Sequence, residues 1–173
     1  MGLTFSVGSP DSVFVEPFAR AVRSWLTTEF GEKVSLELPI EHYWSDEVAW
    51  SGWAELQALA TEHLPAENLE HLTSMEAWSG VYLPLMLEPC AMDFPGQKTP
   101  LDVASLPALI AELEALGAAL ELPTDRQGLQ SLVAKYGDDD DLVDQDMDIQ
   151  TYAQLLLSAL EATDRRQPLW VVK

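Results

Sequence analysis

The sequence predicts a single α+β domain over residues 1–173, with four to five helices packed on a small sheet of about four short strands. Three observations predict it. Stripes with the 3.6-residue helical period recur along the chain, and short runs with the two-residue strand period lie between them and at both ends. Composition is near the globular average, with 47% apolar and 22% charged residues, so a core can form. No stretch has the composition of an interdomain linker.

In chain order, Leu3-Thr4-Phe5-Ser6-Val7 alternates apolar and polar side chains and stops at Gly8-Ser9-Pro10, which marks a strand. Pro17 suits the first turn of a helix whose stripe is Phe18, Ala21, Val22, Trp25 and Leu26, and Gly31 can end it. Val34, Leu36 and Leu38 alternate again, a second strand closed by Pro39. Ser51 is the expected N-cap of a helix to about His63, ended by Pro65. A shorter helical pattern runs from Asn68 to Trp78. Val81–Leu87 reads as a strand that Pro84 would confine to an edge or bulge, and the proline-rich stretch Pro89–Pro100 as a long loop. Three helices follow: Ser105 to Leu116 with Gly117 as terminator, Asp125 to Tyr136, and Ile149 to Ala162. Pro168–Val172 closes the chain as a strand. The tetrapeptide Ala-Trp-Ser-Gly occurs at 49–52 and again at 77–80; with only four matching residues and no third copy, it does not establish a repeat.

Charge is the unusual quantity. The chain carries 29 acidic residues against nine basic ones, a net charge of −20. Seven of the acids fall in the Asp138–Asp148 run, and −20 + 7 still leaves −13, so the acidity belongs to the whole surface. Nucleic acid and anionic membranes would be repelled, and cationic partners attracted in a salt-dependent way. The single Cys90 allows no intramolecular disulfide, and no apolar run approaches a membrane span. A cytoplasmic protein without a secretory leader is therefore expected.

Between Lys33 and Lys98 there is no lysine or arginine, yet the interval holds eleven Asp and Glu, all three histidines and four of the six tryptophans. Metal chemistry is the first thing to test there. His63, Glu67 and His71 fall at i, i+4 and i+8, but Pro65 interrupts the shared helical face, and neither H-E-x-x-H nor Cys-x-x-Cys occurs. His42, His63 and His71 are the only histidine candidates, and no metal or other cofactor is expected. Asp144, Asp146 and Asp148 alternate like calcium ligands, but Ile149 and Leu155 stand where an EF-hand needs glycine and glutamate. Asp146 and Asp148 instead complement the dipole of the last helix. No nucleophile elbow or phosphate loop is present, and Cys90 lacks neighbouring bases. No catalytic residue is assigned.

The aromatic segment carries more information. Glu41-His42-Tyr43-Trp44-Ser45-Asp46-Glu47 is too polar for a core, and its rings sit among carboxylates, an arrangement that can hold basic side chains by cation–π and ion-pair contacts together. In composition the chain resembles bacterial immunity proteins that neutralise cationic nucleases, and anti-restriction proteins that imitate DNA charge. That resemblance implies a non-enzymatic protein binding a basic protein partner. The expected contacts are Glu41, Tyr43, Trp44, Asp46, Glu47 and Trp50, with Asp138, Asp139, Asp140 and Asp141 steering the approach. The alternatives are a metal-dependent hydrolase using the histidines with Glu or Asp, and a housekeeping protein whose acidity serves solubility. Oligomeric state is not readable from the sequence.

Overall fold

In the computed structural model, residues 2–37, 41–76, 79–137 and 146–173 are described. Among them are six α-helices and seven strands, so the α+β class holds with more elements than the sequence patterns predict. The strands are β1 (Gly2–Val7), β2 (Tyr43–Trp44), β3 (Val48–Ala49), β4 (Ser79–Leu83), β5 (Cys90–Met92), β6 (Leu101–Ser105) and β7 (Leu169–Val172). The helices are α1 (Phe18–Phe30), α2 (Trp50–His63), the single turn α3 (Glu70–Thr73), α4 (Leu106–Leu120), α5 (Arg126–Gly137) and α6 (Met147–Arg165).

The sheet runs β2-β1-β7-β4-β6-β5, with β3 also paired to β1. Only β4 and β6 are parallel. The first and last strands therefore lie side by side in the middle, Phe5 opposite Val171, and β7 pairs with β4 on its other side. Strand alternation sends Leu3, Phe5, Val7, Leu169 and Val171 into a core shared with α2, α4 and α6, while Trp170, Val81, Leu83 and Val103 face α1. The α1 side is an aromatic lattice. Phe14 meets Trp170 edge-on at 5.2 Å, and Phe94 contacts Phe18 and Trp25 at 5.4 and 5.7 Å. Both faces of the sheet are thus covered, which explains why β7, Leu-Trp-Val-Val, is a continuous apolar run.

Local chemistry accounts for the helix ends. Gly31 takes φ 55° after α1, as the sequence predicts. The Ser105 hydroxyl accepts the Ala108 N–H at 3.2 Å and caps α4. Gly117 does not end α4. The helix runs three residues further and stops at Glu121, in the left-handed region at φ 56°, while Gly117 makes room for the Tyr152 hydroxyl of α6. Ser51 is likewise no cap. Ala49 precedes the first turn of α2, and the Ser51 hydroxyl points at the Met147 sulfur of α6, 3.4 Å away.

Four expected elements differ. The stretch 89–100 is not all loop, since Cys90–Met92 forms β5 along β6. Residues 34–37 form no strand: Ser35 N–H donates to the Arg166 carbonyl and Gln167 to that of Glu37, so this segment is bonded to the α6–β7 turn and not to the sheet. Leu38 lies outside the described residues. The strand expected at 81–87 is interior, not at an edge, because it ends at Leu83 before Pro84 can remove a ladder donor. The pattern from Asn68 to Trp78 yields one turn of 3-10 helix and the single turn α3, with Trp78 outside the described residues. The two Ala-Trp-Ser-Gly tetrapeptides part company as well, since the first opens α2 and the Ser-Gly of the second enters β4.

α6 is the hub of the helical layer, with Tyr152, Ala153, Leu155, Leu156 and Ala159 fully buried. It meets α2 at Gly52, where an added Cβ would strike the Thr151 hydroxyl and stand 2.8 Å from the Met147 carbonyl oxygen. Alanine is the better helix former by about 1 kcal/mol, but overpacking costs about 1–3 kcal/mol. Gly52→Ala is therefore expected to lower stability, by up to about 2 kcal/mol, read from urea unfolding; a more stable variant would show that the helices are not in close contact there.

Candidate functional site

The aromatic segment folds as a bulged edge strand. Tyr43 lies opposite Val7 and Trp44 opposite Ser6; further along, Val48 lies opposite Leu3 and Ala49 opposite Gly2. Three residues, Ser45, Asp46 and Glu47, thus oppose only two, Thr4 and Phe5, which is the signature of a β-bulge. The Ser45 side chain closes the gap. Its N–H donates to the Phe5 carbonyl at 2.9 Å, and its hydroxyl accepts the Phe5 N–H at 2.9 Å, replacing a ladder carbonyl. The same hydroxyl donates to the Asp46 carbonyl at 2.8 Å.

The bulge distributes the predicted contact residues unequally. Tyr43 is half-buried against α6, with its hydroxyl 3.5 Å from Ser158 Oγ, and burial raises its pKa above the usual value. Trp44 remains 44% exposed on the outer side of β2. Asp46 is exposed and accepts a hydrogen bond from Gln154 Nε2 at 3.3 Å. Glu47 is exposed and lies over Gly2, where no side chain would fit. Trp50 is half-buried in the first turn of α2, with Lys173 Nζ 4.4 Å above its ring centroid. Glu41 offers its carbonyl to Arg165 Nη1 at 2.6 Å. Asp138, Asp139, Asp140 and Asp141 lie outside the described residues.

The segment without lysine or arginine in sequence is therefore met by both in space. Arg126, Arg165 and Lys173, all from the C-terminal part of the chain, come to it. Arg126 pairs with Glu161 at 3.2 Å and with Asp164, and Arg165 pairs with Glu161 at 2.7 Å. A cleft of ≈ 240 Å³ opens between Tyr43, Trp44, Asp46, Arg126, Gln154 and Glu161. Arg126 faces Glu161 and Asp46 there, and Trp44, Glu41, Asp46 and Glu47 are exposed around it.

The histidines are not gathered into one site. His42 and His63 are exposed, the latter at the last position of α2. Among the described residues, no three His, Cys, Asp or Glu side chains are placed to hold a metal ion. His71 is instead fastened at three atoms. Its N–H donates to Glu112 Oε1 at 2.9 Å, its carbonyl accepts the Tyr82 hydroxyl at 3.0 Å, and its Nδ1 accepts the Ser105 N–H at 3.1 Å. The second Glu112 oxygen takes the Leu72 N–H at 2.7 Å, so one carboxylate serves two N–H groups at the start of α3 that the helix itself leaves unpaired. With Nδ1 accepting, the neutral imidazole carries its proton on Nε2 and has no lone pair left for a metal. Burial lowers the His71 pKa, and the nearby Glu88 and Glu70 only partly oppose it.

Glu112 is 8% exposed, and burial raises its pKa although the two N–H donors favour the charged form. This residue was missing from the sequence-based set. A signal was present: Glu112 falls three positions after Leu109 and one before Leu113, a lone carboxylate inside the apolar stripe of α4. The bulge had no comparable signal, because its closing bond depends on where β1 lies.

Ser45→Ala would leave the buried Phe5 N–H without its acceptor and should cost about 1–3 kcal/mol, measured by chemical unfolding. His71 supplies a pH dependence with a defined sign. Its folded pKa lies below the ordinary 6.5, so its contribution is complete above pH 6.5 and is lost as pH falls through that value, where the unfolded chain binds a proton that the folded one refuses. His71→Asn keeps an acceptor for Ser105 and removes the titration. Between about pH 7.5 and about pH 5.5, the wild type should lose more stability than the variant; parallel losses would exclude His71 as the source.

No protein-family model, no curated protein and no solved structure matches this chain, so its fold and site stand on their own chemistry.

Proposed function

We propose that this chain is a non-enzymatic acidic protein that binds a basic protein partner, of the immunity or inhibitor type. The observation that carries the reading is Trp44, a large aromatic left 44% exposed on an edge strand between exposed Glu41, Asp46 and Glu47. Tryptophan is the commonest energetic anchor of protein interfaces, and arginine and lysine pack well on its face. Charge supports the same reading. With 29 acids and nine bases, at least 29 − 9 = 20 carboxylates have no Lys or Arg of the chain to pair with one to one. Such a field raises the rate at which a cationic protein arrives, and Asp138–Asp141 add to it.

The bulge narrows how the partner attaches. A long, regular edge strand invites a further strand through its free ladder groups, but β2 is only two residues long before the bulge at Ser45–Glu47 interrupts it. Contact is therefore made by side chains: Trp44 as anchor, and the three flanking carboxylates as selectors of Lys and Arg. Among the described residues no helix is long and apolar enough to cross a membrane.

Cross-linking in the native cell, followed by kinetics with the captured partner, tests this. The partner is expected to be rich in Lys and Arg, and its association rate to fall at least ~10-fold between about 50 mM and about 500 mM salt. Trp44→Ala should weaken binding by ~2 kcal/mol or more, mainly through faster dissociation. A partner that associates equally fast at both salt concentrations, or is indifferent to Trp44, would overturn the reading.

A further inference from the structure

A second acidic concavity lies away from β2. A groove of ≈ 540 Å³ lies between α3 and the outer face of α4, lined among others by Pro107, Ala108, Ala111 and Ala115, with Met86 beside them. Ala108, Ala111 and Ala115 follow helical spacing on one face of α4 and span seven residues, about two turns or ~10 Å. They are half-buried or exposed, whereas Leu109, Leu113 and Leu116 on the opposite side are fully buried. Met86 is 72% exposed, one of the few large apolar side chains left in solvent. Small side chains let a second backbone approach closely, and methionine adapts to whatever shape covers it.

The rim is acidic. Glu67 and Glu70 are exposed at its edge, Glu112 lies at its floor, and no lysine or arginine lines it. His71, the one other titratable residue of the lining, has its Nδ1 occupied by the Ser105 N–H. Glu88 lies close enough to act on that imidazole and adds to the same field. A strip of small side chains two helical turns long, whose only charged neighbours in the lining are the carboxylates Glu67, Glu70 and Glu112, is complementary to an amphipathic helix with an apolar stripe flanked by lysine or arginine. Helices bind grooves of this kind through residues at i, i+3 or i+4, and i+7.

We infer that the α3–α4 groove is a second docking surface, and that its occupant is a basic amphipathic helix of the protein partner, laid along Ala108, Ala111 and Ala115 with its cations on Glu67 and Glu70. The inference rests on the reading that the partner is basic, and not on the contact at β2. The two surfaces lie at different parts of the fold, since β2 is at one edge of the sheet and α4 follows β6 near the other.

The test is a titration of the isotope-labelled full chain with a synthetic amphipathic peptide, leucine on one face and lysine on its flanks, followed through backbone amide shifts. Saturable shifts are expected at His71, Ala108, Ala111 and Ala115. Ala111→Lys, an exposed helical position that tolerates lysine, should weaken the binding at least ~10-fold, and the double variant Glu67→Gln with Glu70→Gln should weaken it and flatten its salt dependence. Trp44→Ala should leave these shifts unchanged. Saturable shifts confined to Tyr43–Glu47 would sink the groove and leave the β2 reading standing. Shifts spread over the surface without saturation would count against both. If spermidine saturates the same amides at lower concentration than the peptide, the groove is a small-cation site and the docking proposal fails.

Discussion

The structure depends on the pairing of β7 with β1. Thr4 and Val172, 168 positions apart, come within hydrogen-bond range, and the four-residue ladder between these strands places β7 in the middle of the sheet. Without β7 the sheet falls into two pieces, β1 with β2 and β3 on one side and β4 with β6 and β5 on the other. Trp170 holds the joint. It is fully buried, its indole N–H donates to the Gly8 carbonyl at 2.8 Å, and Phe14 packs on its ring. Burying a tryptophan removes about 150–250 Å² from water, roughly 4–6 kcal/mol at ~25 cal/mol/Å². That is comparable to the net stability of many domains. Because most of the sheet depends on this long-range contact, folding must close a large loop before the core is complete.

A second constraint is the imbalance of charge. With so few bases, the fold places them where they serve best. Arg126 and Arg165 share Glu161, and Lys173 lies over Trp50. These pairs are partly exposed and each is worth little alone; Arg126 ties α5 to α6, and Arg165 reaches from α6 to the Glu41 carbonyl just before β2. Among the described residues, Glu41, Asp46 and Glu47 are exposed around β2, and Glu67 and Glu70 at the α3–α4 groove. The surface therefore combines two anionic regions of different character, one built around an exposed indole and one around a strip of small side chains.

The parts legible in the sequence were those fixed by local periodicity. β1, α1, α5 and β7 follow from alternation, helical stripes and glycine stops, because the same residues that define the pattern also make the burial. What escaped is set by neighbours distant in sequence. Gly117 has the local character of a terminator, yet Tyr152 needs the space it leaves inside α4. Val34–Leu38 has strand alternation, but its described residues bond to the α6–β7 turn. The candidate site divides in the same way. Trp44 and the acids around it were visible as an aromatic, acidic cluster, whereas the bulge and the arginines that fold onto the cluster are tertiary facts. Glu112 was readable in principle, as a carboxylate where the α4 stripe calls for an apolar residue.

The fastening of His71 has a consequence for motion. One residue ties α3 to three separate elements: α4 through Glu112, β4 through Tyr82 and the end of β6 through Ser105. A single helical turn has almost no stability of its own, so residues 69–73 stay folded only while those bonds last. They form a small cooperative unit that opens below the global unfolding free energy, the kind of local opening seen as correlated amide exchange. Leu69 and Leu72, both fully buried, would leave the core together when it opens. The wall of the groove is thus a single turn held by its neighbours, and anything that settles against it raises the protection of those amides.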